Sequence, residues 1–238
     1  AMFENNAVNK FFEQNQFDQS TLDKLAAFSE IWVPSRWAQQ ILHQYGFYKV
    51  DVVHEGVDVQ RFYPRSKKNP NNKYRFVSVG KWETRKGIKE LLQAFALAFR
   101  DNEPVELHLH LYSEARNLRS VNIEQEIKQL NLNLGDKLIV NTQKFINETD
   151  LIEFYQEGDC YVSASKAEGW GLPIMEAMAM GLPVIAANYS APTEYLNHAN
   201  SYLYDVTQET IYCSYFFPQA NAYGSWAKID PNVLAEKL

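Results

Sequence analysis

The sequence predicts an α/β protein, a doubly wound parallel sheet with part of a smaller lobe in front of it. Three observations carry that prediction. From residue 74 onward, short apolar runs alternate with segments of helical periodicity, the pattern of a parallel sheet with helices on both faces. A polar, turn-rich stretch at residues 65–73 divides this region from what precedes it. The 238 residues, 46% hydrophobic and 14% aromatic, suffice for one substantial core and a second, small one.

Ahead of the divide, residues 31–34 read as a short strand. Ser35 then stands as the N-cap of a helix over residues 36–42, where apolar side chains recur at helical spacing, and residues 50–54 return as a strand. Residues 1–64 are assigned to the partial lobe, 65–73 to a linker and 74–238 to the main domain. In the main domain, residues 75–79 form a buried strand and 88–99 a helix with apolar positions at 88, 91, 92, 95 and 99. Strands follow at 105–112, 138–141, 160–165 and 184–187, with helices near 123–130, 150–157 and 173–180 between them. The tail from 207 is aromatic but weakly periodic, and residues 230–238 read as a helix that starts as the chain stops, as at a truncated edge.

Lys and Arg total 23 against 29 Asp and Glu, a net charge of -6, which excludes a general affinity for nucleic acid. Any phosphate site must be local. Cys160 and Cys213 fit no metal spacing, and the chain opens on no leader sequence, so a reducing, cytoplasmic setting is expected. No apolar run approaches the roughly 18 residues of a membrane span, which leaves peripheral membrane contact at most. His108 and His110 share one strand face but are too few for a zinc site, and read as a polar pair at a sheet edge. His54 reads as structural, and Trp226 belongs to no motif.

The chemistry concentrates in two loops. Across residues 163–183 a strand ends, a turn containing Gly169 and Gly171 follows, and a helix opens with Pro173 at its first position, to close at Gly181 and Pro183. Ile174, Met175, Ala177, Met178, Ala179 and Met180 leave hardly any polar face, so this helix is expected to be buried on nearly every side. Glu176 is the exception: its carboxylate either caps free N–H groups of its own helix or accepts from a pair of ligand hydroxyls. The amides of Trp170, Gly171 and Leu172 point out of the helix's positive end, where an anion or a sugar hydroxyl is received. Glu168 stands at the rim of that turn, either solvated or facing the ligand. The second loop, residues 80–87, gathers Gly80 with three cations, Lys81, Arg85 and Lys86. Alone it reads as a solvated surface. Both loops leave carboxyl ends of strands in one parallel sheet, however, where the ligands of such sheets sit.

With these motifs the chain resembles the carboxyl-terminal domain of group 1 (family 4) retaining glycosyltransferases of the GT-B architecture, which is Rossmann-like. The resemblance runs from residues 31–35 and 55–58 through 79–81 and 85–87 to 168–179 and 181–186, and its most specific part is Glu168 and Glu176 around Gly169-Trp170-Gly171-Leu172-Pro173. It implies that Glu168 faces the donor hexose, that the Gly169 to Leu172 amides contact sugar and diphosphate, and that Glu176 binds the ribose hydroxyls. The phosphate clamp falls on Lys81 and Lys86, with Gly80 and Arg85 beside them. Many relatives carry Arg where Lys81 stands; the charge is kept and the bidentate fork is lost. The implied partner is a nucleotide diphosphate sugar as donor, with no cofactor or metal required. The acceptor, a glycan, lipid or protein hydroxyl, is received by an amino-terminal domain of which only the last elements precede residue 65. Alternatives are a non-catalytic nucleotide-sugar-binding module or subunit, or another GT-B enzyme such as a sugar-nucleotide epimerase.

Overall fold

The structure is a computed structural model that describes residues 6–66, 72–112, 121–145, 147–211 and 224–238. Most of the connection expected at residues 65–73, and Cys213 with its neighbours, lie outside the described residues.

The leading lobe is a three-stranded parallel sheet, β1 (Ala7–Asn9), β2 (Glu30–Val33) and β3 (Val50–Val52), in that order. Helices α1 (Gln19–Ala26) and α2 (Arg36–Gln44) connect its strands, each with its expected kind of start: Asp18 and Ser35 accept the amides of Thr21 and Ala38. Phe12, Phe17, Leu25, Ile31, Ile41 and Leu42 form its small core.

The main sheet follows as β4 (Tyr74–Gly80), β5 (Val105–Leu111), β6 (Leu138–Asn141), β7 (Cys160–Ser163), β8 (Val184–Ala187) and β9 (Tyr202–Tyr204). All pairs are parallel, in the spatial order β6-β5-β4-β7-β8-β9. Helices α3 (Ile88–Ala98), α4 (Ile123–Gln129), α5 (Glu148–Gln156), α6 (Leu172–Ala179) and α7 (Pro231–Ala235) cover it, and β10 (Thr207–Thr210) pairs antiparallel with β11 (Ser225–Lys228). Period-two alternation sends Cys160 and Val162 to one face, with Leu91, Leu92 and Phe95 of α3, and Tyr161 to the other, with Ile152 and Tyr155 of α5 and Ile174 of α6. The three α3 side chains are at most 1% exposed, and burying each contributes roughly 1.5–3 kcal/mol.

Strand order turns at β4: the chain moves out to β5 and β6, then returns to β7 on the opposite side. At such a switch point the loops after the two central strands diverge and leave a crevice at their carboxyl ends. Those two loops are the ones the sequence singled out.

Three expectations change. β5 lies between β6 and β4, so His108 and His110 are not at an edge. His108 meets Glu106 at 2.9 Å, and His110 stacks on Phe145 with ring centroids 3.6 Å apart. Helix α6 starts at Leu172, one residue early, because Gly171 at φ 93° serves as its cap and Pro173 takes the second position. Only Ile174 and Ala177 of α6 are fully buried, so the helix covers the sheet with one face and is not enclosed. The sequence also passed over β1, α1, β9, β10 and β11.

Candidate functional site

After β4 the chain turns through a single 3-10 turn, Thr84–Lys86, into Gly87. Gly87 has φ 61°, and a Cβ there would lie 2.0 Å from the Ala164 carbonyl oxygen at the end of β7, so only glycine lets the two loops approach this closely. A backbone bond from the Lys166 amide to the Arg85 carbonyl, 2.7 Å, ties them further.

This approach brings the cations of one loop onto the carboxylate of the other. Lys86 Nζ lies 2.5 Å from Glu168 Oε1, and Arg85 Nη1 donates to Glu168 Oε2 at 3.1 Å and to the Ala167 carbonyl at 2.8 Å. Arg85 Nη2 meets Glu83 at 2.8 Å and Glu13 at 3.6 Å. Glu168 is 8% exposed, which excludes the solvated reading. Burial alone would raise its pKa, but the charges of Lys86 and Arg85 and hydrogen bonds from Lys86 and Ser165 outweigh it and hold the carboxyl at about 2. The three cations therefore part company. Lys86 is at the crevice and paired. Arg85 is buried beneath it, its guanidinium engaged by protein carboxylates. Lys81 is exposed and forms no ion pair among the described residues. Gly80 lies under the Lys86 stem, its notional Cβ 3.7 Å from Lys86 Cγ.

The turn after Glu168 is clamped from three sides. The Glu168 amide donates to Ser190 Oγ at 3.0 Å, and Ser190 is held at φ 60°. Gly169 packs against the Phe12 carbonyl of the leading lobe. Tyr195 Oη sits 2.9 Å from the Trp170 carbonyl oxygen and 3.1 Å from that of Gly171. The Trp170 indole is buried, stacks on His54 at 5.0 Å, and has no partner for its N–H, while His54 bonds the Pro34 carbonyl at 2.9 Å. With their carbonyls engaged behind, the amides of Trp170, Gly171 and Leu172 have no acceptor among the described residues. They stand at the positive end of α6, as an anion site requires.

On the next turn of α6, Glu176 Oε2 accepts from Tyr155 Oη of α5 at 2.7 Å. Its carboxylate thus bonds a neighbouring helix and does not cap its own. Burial raises its pKa, the Tyr155 bond opposes this and the charge of Glu148 adds to it. Tyr155, Ser190 and Tyr195 were not singled out in the sequence. Tyr155 signalled only core, through its helical spacing with Leu151 and Ile152, and Ser190 and Tyr195 gave no signal. Among the described residues no cluster of three His, Cys, Asp or Glu side chains forms a metal site.

The family of group 1 glycosyl transferases matches the chain over residues 59–211. Among curated proteins the chain is similar to a mannosylfructose-phosphate synthase of Agrobacterium fabrum, 24% identical over 61% of this chain and 34% of the relative. It is also similar to an alpha-monoglucosyldiacylglycerol synthase of Streptococcus pneumoniae, 26% identical over 68% of this chain and 34% of the relative. The chain thus spans about a third of the length of these curated relatives. Among solved structures it superposes on HepE of Anabaena, solved with UDP and glucose, with a TM-score of 0.71 and 20% identity over 97% of this chain and 60% of that one. It also superposes on a sucrose-phosphate synthase of Thermosynechococcus elongatus, with a TM-score of 0.69 and 23% identity over 93% and 52% of the two chains.

Proposed function

The chain belongs to the group 1 glycosyl transferases, and from that premise we propose that it carries the donor half of a hexosyltransferase that uses a nucleotide diphosphate sugar and retains anomeric configuration. The observation that supports this most is the meeting of Lys86 with Glu168 at the switch point, directly beside the unpaired amides that open α6.

In this reading the diphosphate lies between Lys86, Lys81 and the amides of Trp170, Gly171 and Leu172. As the bond from the sugar's anomeric carbon to the diphosphate breaks, negative charge grows on the leaving group, and fixed cations and amides aimed at it lower the barrier. Glu168 faces the hexose, and Glu176 takes the ribose hydroxyls. Arg85 serves the donor indirectly by fixing Glu168 and the loop crossing. The acceptor hydroxyl arrives from the side of the leading lobe, in the cytoplasm. Uridine diphosphate is the first nucleotide to try, since HepE is solved with it.

Calorimetric titration with the uridine, guanosine and adenosine diphosphates and their hexoses tests the reading. At least one is expected to bind; absence of heat with all of them and of competition between them overturns it.

A further inference from the structure

Between α2 and the strand β10 lies a cleft of about 350 Å³, near the small end of the roughly 300–1,000 Å³ that ligand pockets occupy. Among the described residues no Asp, Glu, Lys, Arg or His lines it, in a chain 22% charged. An ion placed there has no counter-charge to offset its lost hydration, so phosphates and ammonium groups are disfavoured. Apart from Ile41, the wall is made of carboxamides and aromatic rings.

The carboxamides are partly fixed in place. Gln16 Oε1 accepts from the Gly224 amide at 3.1 Å and Gln208 Oε1 from Ser225 Oγ at 2.5 Å, and neither NH2 group donates to a described residue. Gln40 and Gln44, four residues apart on one face of α2, make no hydrogen bond with the described residues. Tyr45 Oη accepts from the Phe17 amide at 3.1 Å and keeps its proton to donate. Beside them stand the rings of Trp37 and Tyr189, centroids 6.3 Å apart and steeply inclined. Neutral groups that both donate and accept, set around aromatic faces, match a polyol: its hydroxyls meet the amides and its C–H faces lie on the rings. Because one end of Gln16 and of Gln208 is already tethered, less freedom is lost on binding.

We propose that this cleft binds an uncharged saccharide. Its assignment as the acceptor, or as a sugar unit of it, rests on the transferase reading above. Chain neighbours link the cleft to the transfer site: Tyr189 of its wall precedes Ser190, whose hydroxyl holds the Glu168 amide, and the Trp37 amide donates to Glu194 of the same loop at 3.2 Å.

The test is a titration of the ¹⁵N-labelled chain with methyl α-glucoside, maltose and lactose, read at the side-chain amides of Gln40 and Gln44 and the Trp37 indole. A parallel titration uses UDP. At least one saccharide is expected to shift these three resonances with a dissociation constant of about 1 mM. The Gln40→Ala/Gln44→Ala variant, altered only at exposed positions, is expected to bind that saccharide at least about tenfold more weakly and UDP unchanged. No shift at these resonances with any saccharide, or an equal shift of the Trp37 indole in the double variant, overturns the cleft assignment. A neutral tripeptide that shifts the same resonances where the saccharides do not also overturns it, in favour of a peptide site. Saccharide shifts without binding of UDP or, in the calorimetry above, of any other nucleotide tested sink the transferase reading and leave the cleft a carbohydrate site; UDP binding without saccharide shifts sinks the cleft alone.

Discussion

Lys86 and Glu168 neutralise each other across the crevice in the unliganded protein, so each has a structural as well as a proposed catalytic part. From loop composition alone, Lys86→Ala should leave stability nearly untouched. The ion pair changes that expectation, because the variant leaves a buried carboxylate with Arg85 as its one remaining cation. Lys86→Ala is expected to lower unfolding free energy by about 1–3 kcal/mol and to weaken diphosphate binding by about 2–4 kcal/mol, read by urea unfolding and calorimetry. Unchanged affinity removes the phosphate from this loop. Glu176→Gln separates two other effects. The Gln carbonyl still accepts from Tyr155 while the cost of a buried charge disappears, so the unliganded protein should melt at the same temperature or slightly higher. Nucleotide affinity should nevertheless fall by about 1.5–3 kcal/mol, through loss of a charged acceptor. A lower melting temperature with unchanged affinity refutes the ribose role. At this scale the sequence singled out candidate residues but not whom they touch: Glu176 was visible as a lone carboxylate among apolar neighbours, whereas Tyr155 lies 21 residues away on another helix.

The crossing of the loops after β4 and β7 depends on Gly87. Gly87→Ala demands both a left-handed φ for an L side chain and room for a Cβ 2.0 Å from a backbone oxygen. The loops must separate, which moves Lys86 away from Glu168. The variant is expected to lose at least about 2 kcal/mol of stability and most nucleotide binding together, measured by the same unfolding and titration pair; retention of both contradicts the claimed close approach. Elements with a strong period were legible: α3 showed its buried stripe, β5 alternated apolar residues with Glu and His, and β4 and β7 showed as largely apolar runs of strand length. Others gave no pattern to read. β10 is Thr-Gln-Glu-Thr, with no apolar residue, and β1 is Ala-Val-Asn, with a single large apolar side chain. The extent of burial of α6 was misjudged because its apolar sequence exceeds what one sheet face covers; Met175, Met178 and Ala179 remain half-buried.

Across the molecule, acid should destabilise the fold in two stages. Burial holds His110 at about 4, below the ordinary 6.5, so the unfolded chain takes up that proton first, and stability present above pH 6.5 declines as pH falls toward 4. Glu168 and Glu106, each held at about 2 against an ordinary 4.5, supply stability present above pH 4.5 and lost as pH falls toward 2. Glu176, raised by burial, acts in the opposite sense, its cost relieved as pH falls below its folded value. Urea midpoints between pH 7 and 3 should trace both stages, and His110→Phe, which fits the Phe145 and Phe154 stack and removes a ring nitrogen without a partner among the described residues, should make the first shallower, leaving the share of His108, which burial also lowers. An unaltered upper stage in that variant refutes the assignment. The switch-point crevice was legible before any coordinates, because alternation of strands and helices implies the topology, and the topology implies where loops converge. The joining of the lobes was not, since it rests on pairs such as Asn15 with Ser225 and the Glu13 carbonyl with the Trp226 indole, 210 and 213 residues apart. Those pairs bear on synthesis as well as on shape. During translation the Glu13–Gln16 segment emerges more than two hundred residues before its hydrogen-bonding partners, so its docking waits for β11 to leave the ribosome. Closure of so long a loop belongs to the slow, high-contact-order end of folding, and until it occurs the back of the Gly169 turn is held by one lobe alone.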